Sequence, residues 1–154
     1  MNRPPIEREQ IADLVPHVGA MVLLDRVLEW NADQLVAEAT SHHRDDHPLR
    51  ENGQLHAVHL IEYGAQAMAV HGGLLARAAG DDAAPGLLAG LRDVEWQVDR
   101  LDTLPGVLKL RVKRLFGDAG GWMYAFDAQA DGRCLARGRI SVMTGQAGDT
   151  PPPA

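Results

Sequence analysis

The chain has 154 residues, 15 Lys and Arg against 21 Asp and Glu, a formal net charge of −6 and one cysteine, Cys134. At this length a single domain spanning residues 1–154 is expected, able to bury about two-thirds of the surface its unfolded chain exposes, and the 45% hydrophobic share excludes wholesale disorder. A lone cysteine excludes an intrachain disulfide framework and a cysteine-based zinc finger and fits a reducing compartment, while the acidic balance argues against nucleic acid as a partner.

In chain order, the polar, proline-bearing start lacks the apolar run of a signal peptide. Residues 6–14 read as a short helix with Ile11 and Leu14 inward, and residues 21–30 and 34–41 as two strands. Asn31-Ala32-Asp33 between them marks a hairpin turn. An irregular stretch follows over 42–55, carrying Asp-Asp-His-Pro and Asn-Gly turn signals.

The segment 57–79 reads as one long helix with only Glu62 and Arg77 charged. Its apolar part is long enough to cross a bilayer, but His59, Glu62, Gln66 and His71 make that placement costly. A helix apolar on nearly every side is instead one wrapped by other elements, in a cytoplasmic protein with no membrane span. Gly64, Ala65, Ala67 and Ala69 allow a neighbour to come close.

The remainder reads as four strands, 87–101, 106–116, 122–130 and 134–143, divided by turn residues. Leu108, Leu110 and Val112 alternate with Lys109, Arg111 and Lys113, the pattern of a half-buried strand with one basic face. The Gly- and Pro-rich end, 145–154, is expected to be disordered. Two strands, a buried helix and four strands give an α+β class, most economically an antiparallel sheet curled around its helix.

Six of the seven histidines fall between His42 and His71. Imidazoles and carboxylates suit zinc, iron or manganese, but His56, His59 and Glu62 step by three along a helix and drift about 60° per step. No metal is expected. His42 and His43 read as solvated loop residues, and His17 as a turn histidine bonded to backbone. Glu62, a carboxylate in the middle of an apolar helix, is the sharper feature, because burial favours its protonated form and suits it to proton transfer. With His47 in the preceding loop, a His47/Glu62 acid–base pair is the leading catalytic candidate.

Two motifs resemble a known family. Val15-Pro16-His17-Val18-Gly19-Ala20-Met21-Val22-Leu23-Leu24-Asp25-Arg26-Val27 is similar to the opening segment of FabZ-type beta-hydroxyacyl-acyl-carrier-protein dehydratases. Gly53-Gln54-Leu55-His56-Ala57, followed by Ile61-Glu62-Tyr63-Gly64-Ala65-Gln66-Ala67, resembles the helix of the ApeP-like branch associated with aryl polyene pigments. The resemblance implies a hotdog fold, a long central helix wrapped by an antiparallel sheet, and two subunits joined sheet edge to sheet edge as a homodimer or as a heterodimer with a related subunit. It implies dehydration of a 3-hydroxyacyl chain on the phosphopantetheine of an acyl carrier protein, with no metal or organic cofactor.

On that resemblance His47 is the base and Glu62, from the other chain, the acid. His56, the amides of Ala57 or Val58, Tyr63 and Gln66 line the substrate, and Arg111, Lys113 and Arg114 attract an acidic carrier. The sequence departs from the family in placing His47 one residue further from the acid, with Pro48 in the usual position, and in having His56-Ala57 where the family has Pro-Gly. The alternatives in the same fold are a thioesterase, with the helix carboxylate activating water, and a non-catalytic subunit that binds acyl carrier protein or stabilises a partner dehydratase.

Overall fold

In the computed structural model, which describes residues 5–17, 19–81, 86–118 and 120–144, seven strands form one sheet against a 19-residue helix. The elements are β1 (Ile6–Glu7), α1 (Arg8–Ala12), β2 (Arg26–Trp30), β3 (Gln34–Ala39), α2 (Leu60–Ala78), β4 (Gly86–Trp96), β5 (Leu108–Asp118), β6 (Gly121–Ala130) and β7 (Arg133–Thr144). The strand order is β1-β2-β3-β5-β6-β7-β4, and every neighbouring pair is antiparallel. This is the expected α+β plan. The helix expected over 6–14 is shortened to Arg8–Ala12, with Ile6 and Glu7 instead pairing with Val27 and Arg26 as β1, and the strand expected over 87–101 ends at Trp96. The segment expected to be disordered, 145–154, lies outside the described residues.

The local rules behind these elements are visible. Asn31 forms the hairpin because its side-chain oxygen accepts from the Asp33 and Gln34 amides, at 2.9 and 3.0 Å, which holds the turn before β3 begins. In β5 the alternation holds: Leu108, Leu110 and Val112 are fully buried under α2, and Lys109, Arg111 and Lys113 are exposed on the outer face. Gly64 lets the helix descend onto the sheet. A Cβ there would stand 2.8 Å from Phe126 Cδ2 and 3.3 Å from Ile140 Cδ1, so any side chain would push α2 away.

The expected strand 21–30 is shorter than predicted. Gly19–Met21 is a single 3-10 turn that Gly19 enters at φ +58°, and the ladder with β3 begins only at Arg26. The intervening segment leaves the sheet because helix and loop side chains satisfy its backbone. The Leu23 amide donates to Gln66 Oε1 at 2.9 Å, the Leu23 carbonyl accepts from Ser41 Oγ at 2.9 Å, and the Met21 carbonyl accepts from Gln66 Nε2 at 2.7 Å. Residues 19–24 thus form a strap across the first half of α2, burying Val22, Leu23 and Leu24 against it.

The other half of α2 is pinned by a directional chain. His71 Nε2 donates to the Asn31 carbonyl at 2.8 Å, Tyr124 donates its hydroxyl proton to His71 Nδ1 at 2.8 Å, and Arg114 Nε donates to the same hydroxyl oxygen at 3.0 Å. Arg114 also stacks on Trp122, 3.6 Å from the ring centre. It therefore belongs to this clamp and does not join the free basic face expected with Arg111 and Lys113.

Candidate active site

Glu62 occupies the first turn of α2, near the positive end of the helix dipole, which favours a negative charge. The sequence suggested a sealed carboxylate. The structure leaves 32% of its side chain exposed and gives it a partner from the segment that precedes the strap, with His17 Nε2 2.8 Å from Glu62 Oε1. Oε1 is the acceptor and the ring N–H at His17 Nε2 the donor, which leaves Oε2 free to carry the carboxyl proton. His17 is therefore bonded to a catalytic candidate and not to backbone, which corrects the sequence reading. Gln66 Nε2 reaches the same oxygen at 3.4 Å, while Oε2 has no partner among the described residues.

His47 is 4% exposed and makes no hydrogen bond to Glu62 of its own chain. The Leu49 amide donates to its Nδ1 at 3.1 Å, which leaves the proton on Nε2, and Nε2 lies 3.1 Å from the Tyr63 hydroxyl. Tyr63 passes its own proton to Ser41 Oγ at 2.6 Å, and Ser41 donates to the Leu23 carbonyl. Each donor in this chain has one acceptor, and both nitrogens of His47 are engaged. Burial, reinforced by the charges of Arg50, His59 and Arg44, pushes the imidazole down to about 4, so it is neutral at pH 7. Burial likewise pushes the Tyr63 hydroxyl up to about 12.

The expected substrate contacts divide into two groups. Tyr63 and Gln66 are fully buried and committed to the polar chain and to the strap. The Ala57 amide is also committed, donating to the Asp99 carbonyl at 2.9 Å. That carbonyl belongs to residues 99–102, which brace the start of the helix: Leu101 N donates to the Leu55 carbonyl at 2.7 Å and Leu55 N to Asp102 Oδ1 at 2.9 Å. Arg100, paired with Asp102, holds that carboxyl well below the usual carboxylate range. Val58, 56% exposed, and His56, also exposed, are the two members of the set that face solvent. His56 leads into the Ala57–His59 turn without a side-chain cap.

His42 departs from expectation. It is completely buried, its ring centre 3.9 Å from that of the exposed His43 with the planes tilted by 40°, and burial pushes it down to about 4. No three His, Cys, Asp or Glu side chains converge as metal ligands among the described residues. No described helix is long and apolar enough to cross a membrane. The residue that sequence reasoning missed is His17. Its only signal was its place in the Pro-His segment of the resemblance, since nothing in the spacing links it to Glu62.

Comparison with known proteins agrees with this architecture. The ApeP-like family, described as ApeP dehydratase, matches residues 9–150. The dehydratase heterocomplex ApeI:P from Xenorhabdus doucetiae contains a chain that superposes with a TM-score of 0.78 at 25% identity, covering 88% of this chain and 91% of that one. A thioesterase superfamily member 2 from zebra fish (TM-score 0.61, 13% identity, 90% and 95% covered) shares the fold. So does a hypothetical thioesterase with coenzyme A from Streptococcus pneumoniae (0.56, 12%, 77% and 84%). No curated protein sequence matches the chain.

Proposed function

The chain belongs to the ApeP-like dehydratase family, and has its hotdog fold; from that premise we propose that it removes water from a 3-hydroxyacyl chain carried on an acyl carrier protein, in aryl polyene or fatty-acid-like assembly. Glu62 enters the step with its carboxyl proton on the open oxygen Oε2. A base takes the Cα proton, the electron pair forms the new double bond, and the C–O bond breaks as the departing hydroxyl takes the Oε2 proton, leaving the base protonated and Glu62 ionised. The products are the trans-2-enoyl thioester and water. The amide of Val58, a residue 56% exposed at the helix start, is the donor best placed to bond the thioester oxygen as enolate charge develops. As written, the step needs neither a metal nor an organic cofactor.

The observation that carries this reading is the half-exposed Glu62 carboxylate, with one oxygen held and the other open, in a chain of a dehydratase family. The base is assigned to an imidazole reaching across an interface with a second hotdog subunit, and His47 is this chain's counterpart at the reciprocal site. The partner surface is the open edge of the sheet, β4, with Leu87 at 74%, Leu88 at 51% and Leu91 at 46% exposure. An apolar edge of this length is an invitation to pairing, and ApeI:P is itself a heterocomplex. An acidic carrier protein suits the outer sheet face, where one cross-strand row reads Gln34, Lys113, Ala125, Arg139, Arg92 and contains three cations and no carboxylate.

The committed nitrogens of His47 favour a second reading: this chain supplies the acid to one working site while the site facing its own His47 is silent. Incubation of the protein, alone and with a related hotdog subunit, with a 3-hydroxyacyl carrier protein, followed by mass spectrometry of the acyl chain, tests both. Loss of 18 mass units, about one water, is expected, abolished by Glu62→Gln. His47→Ala abolishes it too under the first reading and spares it under the second. Release of free carrier thiol would instead indicate thioesterase chemistry, and binding without turnover a scaffold role.

A further inference from the structure

We propose that His17 is the positioning residue for Glu62, an imidazole of the same chain that anchors one carboxylate oxygen so that the other is presented to substrate. This rests on the reading that Glu62 transfers the proton.

A glutamate side chain has three rotatable bonds, and its carboxylate is useful only if held near the reacting atoms. Here Oε1 is fixed by His17 Nε2 at 2.8 Å and approached by Gln66 Nε2 at 3.4 Å. Gln66 cannot drift, because its amide is bonded to the Met21 carbonyl and the Leu23 amide. His17 lies between Pro16 and the Gly19 turn with its Nδ1 buried and without a partner among the described residues, so its bond to Glu62 is the ring's one hydrogen bond among them. His17 and the helix residue Gln66 thus converge on one oxygen and leave Oε2 open. His47, the other histidine at issue, touches no carboxylate and spends both nitrogens on Leu49 and Tyr63. The carboxylate therefore has an imidazole partner before any second subunit arrives.

The test uses the full chain, with the related subunit present if turnover requires it, in the carrier-protein assay. His17→Leu is expected to lower kcat by about 10- to 100-fold with KM little changed, the scale of loss that a misplaced catalytic group produces. His17→Gln, which keeps an N–H at comparable reach, is expected to recover most of that loss. If His17 acts through Glu62, adding His17→Leu to Glu62→Gln costs nothing further.

Wild-type kcat in a folded His17→Leu protein overturns the proposal while leaving Glu62 in place. Wild-type kcat in Glu62→Gln, or no dehydration by the unmodified protein in either format, overturns the reading beneath it. Should His17→Leu not fold, the contact is read by nitrogen-15 NMR of the histidine rings. Glu62→Ala is expected to shift the His17 Nε2 resonance and leave that of His47 in place, and an unmoved His17 signal overturns the proposal.

Discussion

His47 Nε2 and the Tyr63 hydroxyl lie 3.1 Å apart, in a space from which water is nearly excluded, and the hydroxyl is shared with Ser41 at 2.6 Å. Tyr63 is thus the central link between the irregular loop and the strap. Tyr63→Phe leaves the buried His47 N–H without its acceptor and removes the donor to Ser41 Oγ, while Ser41 keeps its bond to the Leu23 carbonyl and the ring is retained. The expected loss is about 1–3 kcal/mol, the penalty for stranding a buried polar group. Equilibrium urea unfolding measures it, and an unchanged midpoint would show that the hydroxyl carries no such role.

Stability is expected to depend on pH through His42 and His47. Both are pushed down to about 4 by burial in the folded protein, against about 6.5 in an unfolded chain. Between these values the unfolded state binds protons that the folded state refuses, so stability is full above about pH 6.5 and falls as the pH drops toward 4. Each imidazole accounts for up to roughly 3 kcal/mol across that window. Urea midpoints at pH 7.5, 6 and 5 test the sign, and a flat profile would mean that neither imidazole is held neutral.

Two glycines of α2 should respond oppositely to alanine. At Gly64 the new methyl meets Phe126 at 2.8 Å, and overpacking of about 1–3 kcal/mol is expected. At Gly72 the nearest neighbour is Arg114 Nη2 at 3.9 Å, ordinary contact distance, so Gly72→Ala should stabilise by about 0.5–1 kcal/mol through the better helix former. Thermal unfolding of the two variants side by side should show Tm moving in opposite directions.

The edge strand offers a separate test of association. Leu88→Lys with Leu91→Lys places two charges on an already exposed edge, where folding of the single chain should change by under about 0.5 kcal/mol. Association with a copy or with a related subunit should weaken by at least about tenfold, read by analytical ultracentrifugation. Equal association of variant and wild type would place the interface elsewhere.

Much of the architecture was legible because it depends on local chemistry. Asn31 announces its turn by bonding the two amides that follow, and the alternation in β5 states which side faces the helix. The strand expected over 21–30 failed for a non-local reason: the Leu23 groups that a ladder would use are taken by Gln66, 43 residues away, and by Ser41. The same distance effect concealed the site. Glu62 stood out as a charge in an apolar helix, but whether sheet or strap would cover it depended on residues that sequence spacing does not connect. His42 looked solvated among polar neighbours and is buried only because the loop folds inward.

The two outer edges of the sheet differ in length. At one end β1 is two residues long, and at the other β4 runs for 11 and shifts register twice, between Leu88 and Gly90 and between Arg92 and Glu95. Joining two such sheets through β4 would leave only two-residue strands at both extremities, too short to template another addition. Growth would therefore terminate at two subunits. The paired irregularities act as a filter on the joining edge, since a straight foreign strand finds only a short matching run around Leu91.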